Sequence, residues 1–187
     1  MFTTAEQIIE VLTELGERLD RQGLEAEIYI VGGAAMLLGY DRRVVTRDID
    51  AVLLPASVID DVASEMAAER GDLPPRWLND AVVPLLPRVA DSRRWELMSV
   101  PGLTVQVALP EHLLAMKARA CRGPRDLEDI AVLCEVLGLT STGEVWQICD
   151  SIWGNDMISA EMRGLVDEFL ESRGLASSPA ASNPEAP

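Results

Sequence analysis

Apolar residues recur at helical spacing from the start of the chain, where Ile8, Ile9, Leu12, Leu15 and Leu19 follow a T-x-x-Q capping sequence at residues 4–7 and stop at Gly23. The spacing predicts an amphipathic helix with an acidic outer face. The pattern then changes. A short apolar run at 27–31 predicts a strand, and Gly32-Gly33 a tight turn. Residues 34–38 predict a short apolar helix, 41–47 a polar loop, and 48–54 a second strand stopped by Pro55. A helix from about Ser57 to Arg70 follows. Residues 72–94 are broken by Pro74, Pro75, Pro84 and Pro87, with Trp77 and Leu78 as anchors to the core. Two strand-like runs, 95–100 and 103–109, flank Pro101-Gly102 and predict a hairpin. From Pro110 on the pattern is helical, over 110–121, 125–137, a segment opened by an S-x-x-E box at 141–144, and 159–173.

This order predicts an α/β fold in which a small mixed sheet is flanked by helices. The α/β core spans 1–109, a mostly helical C-terminal part at 110–174 completes the cleft, and the Ser-, Pro- and Ala-rich tail at 175–187 is disordered.

The second strand brings in chemistry. Side chains alternate faces along a strand, so Asp48 and Asp50 project to one side and Ile49 to the other. Two carboxylates held this close disfavour joint ionisation unless a cation neutralises them, and a hard divalent ion such as Mg2+ is the usual remedy. The plainer alternative is an exposed strand end whose acids pair with Arg47, although strands disfavour Asp. Gly32 and Gly33 have no side chains to keep a phosphate away, and the helix after them points its N-terminus, which favours anions, at the same place.

Charge narrows the classes of partner. The formal net charge of −15 excludes a general nucleic-acid-coating protein. Its distribution is uneven, however. Residues 1–41 carry two basic and eight acidic groups and residues 126–187 two and twelve, whereas residues 42–125 carry twelve and eleven, so the middle of the chain tolerates an anionic substrate best. Cys121, Cys134 and Cys149 show no CxxC spacing and predict buried thiols. No apolar run approaches the roughly 20 residues of a membrane span and no secretory pattern opens the chain, so a cytoplasmic location without a membrane partner is expected.

A glycine pair, a short helix, a loop and then Asp-x-Asp on the next strand resembles the DNA polymerase β-type nucleotidyltransferase superfamily, here as Gly32-Gly33, residues 34–47 between, and Asp48-Ile49-Asp50. TRDID at 46–50, WLND at 77–80 and PEHLLAMKARACRGPRDLEDI at 110–130 are similar to a bacterial branch of uncharacterised and toxin-like nucleotidyltransferases, among them abortive-infection and MenT-type toxins.

The resemblance implies catalytic roles for Asp48, Asp50, Lys117, Asp126 and Asp129, metal binding by Asp48 and Asp50, and nucleotide contacts from Gly32, Gly33, Thr46, Arg47 and Lys117. Mg2+ is the implied cofactor and a nucleoside triphosphate the co-substrate. An acceptor hydroxyl on RNA, the tRNA 3′ end first, and a small antitoxin partner are implied as well. Lys117 is the sole lysine beside fifteen arginines and sits among apolar helical residues, where an ammonium either snorkels to water or meets an anion. Asp126 and Asp129 also read as helix N-terminal acids that stabilise the dipole. The third acid of a polymerase-type site corresponds to Gln106, a poor Mg2+ ligand, with Glu96 as a substitute if its strand is central. A catalytically silent fold serving as an interaction module, and a transferase acting on a small molecule, are the two alternatives.

Overall fold

The computed structural model describes residues 1–40, 45–155 and 157–177. The chain divides into two compact units, Met1–Leu86 with Ala90–Leu109, and Pro87–Val89 with the chain from Pro110 on.

In the first unit, α1 (Ala5–Arg21) is opened by the expected capping box. Gln7 N donates to Thr4 Oγ1 at 3.4 Å, and Thr4 N donates back to Gln7 Oε1 at 3.3 Å. Ile8, Val11, Leu12, Leu15 and Leu19 form its buried stripe, while Ile9 stays on the exposed side. The chain continues through β1 (Ala26–Ile30), α2 (Gly32–Gly39), β2 (Ile49–Leu54), α3 (Ala56–Glu69), β3 (Leu78–Asn79), a 3-10 turn at Val83–Leu85, β4 (Trp95–Val100) and β5 (Leu103–Val107). The strands form one mixed sheet in the order β3-β2-β1-β5-β4. β1 is antiparallel to β2 and parallel to β5, β2 is parallel to β3, and β4 and β5 make the predicted hairpin. The two-residue β3 falls in the proline-broken stretch that showed no periodicity.

Alternation gives this sheet two unlike faces. Ile28, Ile30, Ile49, Ala51, Leu53, Leu103, Val105 and Val107 make the buried one, against which α1 and α3 pack. Glu27, Tyr29, Asp50, Val52, Thr104 and Gln106 lie on the other, half-buried or exposed. The hairpin turn meets α1 backbone to backbone. A Cβ on Gly102 would come within 2.6 Å of both Asp20 N and Gly16 O, and Gly102 has φ +78°.

In the second unit, α4 (Pro110–Ala120), α5 (Pro124–Leu137), α6 (Thr142–Trp153) and α7 (Ala160–Ser172) pack around Leu114, Ile130, Leu133, Val145, Val166 and Leu170. Ser141 and Glu144 form the second capping box, and Gly138 ends α5 in the left-handed conformation. Ala176 exchanges backbone hydrogen bonds with Thr140 and Thr142 beyond α7. Residues 178–187, which carry most of the predicted disordered tail, lie outside the described residues, as do Arg42 and Arg43. All three cysteines are buried and free, and burial pushes the thiols of Cys134 and Cys149 up to about 12. Among the described residues no helix is long and apolar enough to cross a membrane.

Candidate active site

β2 starts at Ile49, so Asp48 occupies the bend just before the strand rather than the strand itself. The two acids flank the fully buried Ile49 and are both half-buried. Their backbone is held from several sides. Ile49 N donates to Trp77 O at 2.6 Å, and Val31 N donates to Asp50 O at 2.9 Å. Thr46 Oγ1 donates to Asp48 O at 2.9 Å, and Thr46 is itself fixed by paired backbone bonds with Phe2 at 2.8 and 3.0 Å. Arg47 is exposed.

Gly32 and Gly33 are the first residues of α2 rather than a turn ahead of it, and Val31 is the N-cap without a side-chain cap. The physical reason is Gly32 itself. Its φ of +65° turns the chain sharply at the end of β1 and starts the helix in one residue. A Cβ there would meet Asp50 Oδ2 at 3.2 Å, and a Cβ on Gly33 would meet Thr46 Oγ1 at 3.0 Å. The first N–H groups of α2, which have no acceptors within the helix, therefore open beside the Asp50 carboxylate, with only hydrogens on the two leading α-carbons.

Across the same sheet face, Gln106 is in register with Tyr29, and Tyr29 with Val52, two residues from Asp50. Gln106 Oε1 accepts from Arg94 Nη1 at 3.2 Å, and the Arg94 guanidinium lies 5.0 Å over the Tyr29 ring. The Tyr29 hydroxyl donates to the buried Asp91 carboxylate at 2.9 Å, which also accepts from Leu109 N at 3.0 Å. Burial first, and the Asp91 carboxylate second, push the Tyr29 phenol well above its ordinary value. Glu96 lies in register with Gln106 on β4, but β4 is the edge of the sheet, so the condition under which Glu96 could replace a central acid is not met. Tyr29, Asp91 and Arg94 were not singled out in the sequence. The polar Tyr29 within the IYIV run was the one available signal.

The second unit holds the remaining predicted residues. Lys117 Nζ on α4 contacts Asp126 Oδ1 at 2.8 Å and Asp129 Oδ2 at 2.5 Å, both on α5. The three side chains are 14%, 16% and 4% exposed. Lys117 thus meets an anion instead of snorkelling, and both acids of the RDLED segment supply it. Burial works against the charge on Asp126, but the Lys117 ammonium and the Arg122 N–H, 2.9 Å from Oδ2, outweigh it and hold this carboxyl below the usual carboxylate range.

Residues 6–151 match the model of a family described as a nucleotidyltransferase of unknown function (DUF6036). The chain belongs to this family. No curated protein and no solved structure matches it. The match to the nucleotidyltransferase family runs from α1 into α6 and so takes in the glycine pair, Asp48 and Asp50, and the Lys117 cluster. It supports the nucleotidyltransferase superfamily and stops short of the toxin-like branch.

The Asp48 and Asp50 carboxylates suit a hard cation. Mg2+ is typically held by one or two protein carboxylates and completes its shell with water and substrate phosphate, and the missing Cβ of Gly32 lets the Asp50 carboxylate lie close against the start of α2. Among the described residues no group of three or more acids, histidines or cysteines is arranged as a metal site, so any ion here depends on the pair. A separate open depression of about 660 Å3, lined by Glu25, Glu27, Leu54, Ser99 and Thr104 among others, lies at the end of the sheet away from Asp50.

Proposed function

We propose that the protein is a Mg2+-dependent nucleotidyltransferase that moves a nucleotide from a nucleoside triphosphate to an acceptor hydroxyl. The observation that supports this reading best is the bare approach of Gly32 to the Asp50 carboxylate, which puts a helix N-terminus beside an acid two residues from Asp48. Asp48 and Asp50 hold the ion, which when bound supplies neutralisation of phosphate charge. Gly32 and Gly33 admit the triphosphate to the N–H groups of α2, and Thr46 and Arg47 flank it. In the reaction the acceptor oxygen bonds to the α-phosphorus, the bond to pyrophosphate breaks, and the hydroxyl proton passes to water. Lys117, with Asp126 and Asp129, serves as the second charged cluster of the enzyme.

The acceptor is RNA, with the tRNA 3′ end as first substrate and an antitoxin protein as natural partner. Support for these last points comes from the resemblance of TRDID and the 110–130 segment to toxin-like transferases. A catalytically silent fold is the second reading, and two observations favour it. Gln106 stands on β5 where the resemblance implies an acid, and two carboxylates already neutralise Lys117. Incubating wild type and Asp50→Ala with labelled triphosphates, Mg2+ and total RNA separates the two. Transfer of label by wild type alone is expected, and absence of metal-dependent transfer to RNA, protein or small acceptors would leave the silent reading standing.

A further inference from the structure

We infer that Arg94 holds a backbone phosphate of a polynucleotide acceptor, an assignment that rests on the transferase reading above. Arg94 immediately precedes β4 and is exposed, yet its guanidinium is fixed on three sides. Nε donates to the Asp91 carbonyl at 3.2 Å, Nη1 donates to Gln106 Oε1 at 3.2 Å, and the plane rests 5.0 Å above Tyr29. A peptide carbonyl, a neutral amide and a phenol ring position the cation without cancelling its charge. Among the described residues no carboxylate forms an ion pair with it, and Nη2 has no hydrogen-bond partner. The nearby Asp91 carboxylate accepts through Oδ2 from the Tyr29 hydroxyl and Leu109 N. Exposed arginines usually either move freely or pair with an acid. A planar fork held still by neutral groups is instead prepared for an anion, and phosphate matches its geometry.

The position selects which phosphate. From the register, Gln106 lies two strand spacings from β2, about 10 Å, and two residues along it, about 7 Å, which places its backbone about 12 Å from that of Asp50. The guanidinium, which rests over Tyr29 on β1 and bonds to Gln106 on β5, is therefore offset along the sheet from a reacting phosphate seated against Gly32 and Asp50. A polynucleotide bears a charge at every nucleotide, so a strand whose terminal hydroxyl reaches Asp50 carries a further phosphate at this offset, and a small hydroxylated acceptor does not.

The test is the binding of a short, 5′-labelled single-stranded RNA to the full chain, followed by fluorescence anisotropy over a salt series in wild type, Arg94→Gln and Arg94→Lys. Loss of one phosphate contact predicts several-fold weaker binding by Arg94→Gln at low salt and a log K against log salt slope shallower by about 0.7, whereas Arg94→Lys keeps the slope. The triphosphate KM stays unchanged in both. A purely structural role would lower the urea midpoint and leave the slope alone. The inference is overturned by an unchanged slope, by a wild type that binds no RNA, or by a raised triphosphate KM with unaltered RNA affinity. Nucleotide transfer by wild type together with an unchanged slope sinks this inference alone. RNA binding through Arg94 without any transfer sinks the transferase reading alone.

Discussion

Replacing Gly32 with alanine separates backbone geometry from site chemistry. At φ +65° a non-glycine residue bears a left-handed penalty of about 1–2 kcal/mol, partly offset by about 0.4–1 kcal/mol because alanine has fewer unfolded conformations to lose. The new methyl then stands 3.2 Å from Asp50 Oδ2, so the carboxylate must shift by a few tenths of an ångström or the helix start must open. The net expectation is destabilisation by about 1 kcal/mol, or about 2–4 °C in Tm for a chain of this size. Gly33→Ala is the matched control, because Gly33 is not among the positive-φ glycines and alanine favours helix. Its methyl meets Thr46 Oγ1 at 3.0 Å and disturbs the bond to Asp48 O with little global cost. Urea denaturation and calorimetry measure the stabilities, and triphosphate binding measures the site. Both variants should weaken triphosphate binding, with only Gly32→Ala also losing stability. A Gly32→Ala protein as stable as wild type would refute the left-handed entry into α2 on which this reasoning depends.

Other expectations follow from the same contacts. Lys117→Met leaves the buried Asp129 carboxylate without its cation and should cost about 3–5 kcal/mol in urea titrations, with Lys117→Met/Asp129→Asn recovering part of the loss. The carboxyl of Asp126 sits below its unfolded value in the folded protein, so its contribution is complete above the ordinary carboxylate pKa and is lost as pH falls through the lowered one. Urea midpoints should therefore drop as pH falls below the ordinary carboxylate range, and Asp126→Asn should flatten that limb. Gly102→Ala places a Cβ within 2.6 Å of two α1 backbone atoms at a positive φ, and its thermal midpoint should fall further than that of Gly32→Ala.

Elements stabilised by neighbours in sequence were legible. The capping boxes at Thr4 and Ser141, the hairpin at Pro101-Gly102 and the helical stripes are all written in spacings of three or four residues, or in single turn signals. β3 was not legible, because two residues have no periodicity and Leu78-Asn79 is a strand only by pairing with Ile49 and Asp50. The Gly32-Gly33 pair signals a break from β1 but not the side of the boundary it belongs to, since one left-handed glycine can turn the chain and begin a helix together. In the site, Asp48 and Asp50 stood out because acids are unusual beside an apolar strand. The Tyr29–Asp91 contact did not, because it joins residues 62 positions apart through a loop without pattern. Lys117 was visible as an anomaly, yet its partners nine and twelve residues on were fixed by the packing of α4 on α5.

The bend that presents Asp48 is closed by two aromatic residues remote from it in sequence. Phe2 pairs with Thr46 through its backbone, Trp77 accepts from Ile49 N, and the two rings meet edge to face at 6.5 Å. The Trp77 indole is fully buried and donates to Ala63 O at 3.0 Å. With Trp95, Trp146 and Trp153 replaced by phenylalanine, Trp77 becomes the sole tryptophan, attached to the acid-bearing segment. Its emission wavelength and quenching by acrylamide then give an optical record of that segment during titrations with Mg2+ or nucleotide, with no label attached near the acids.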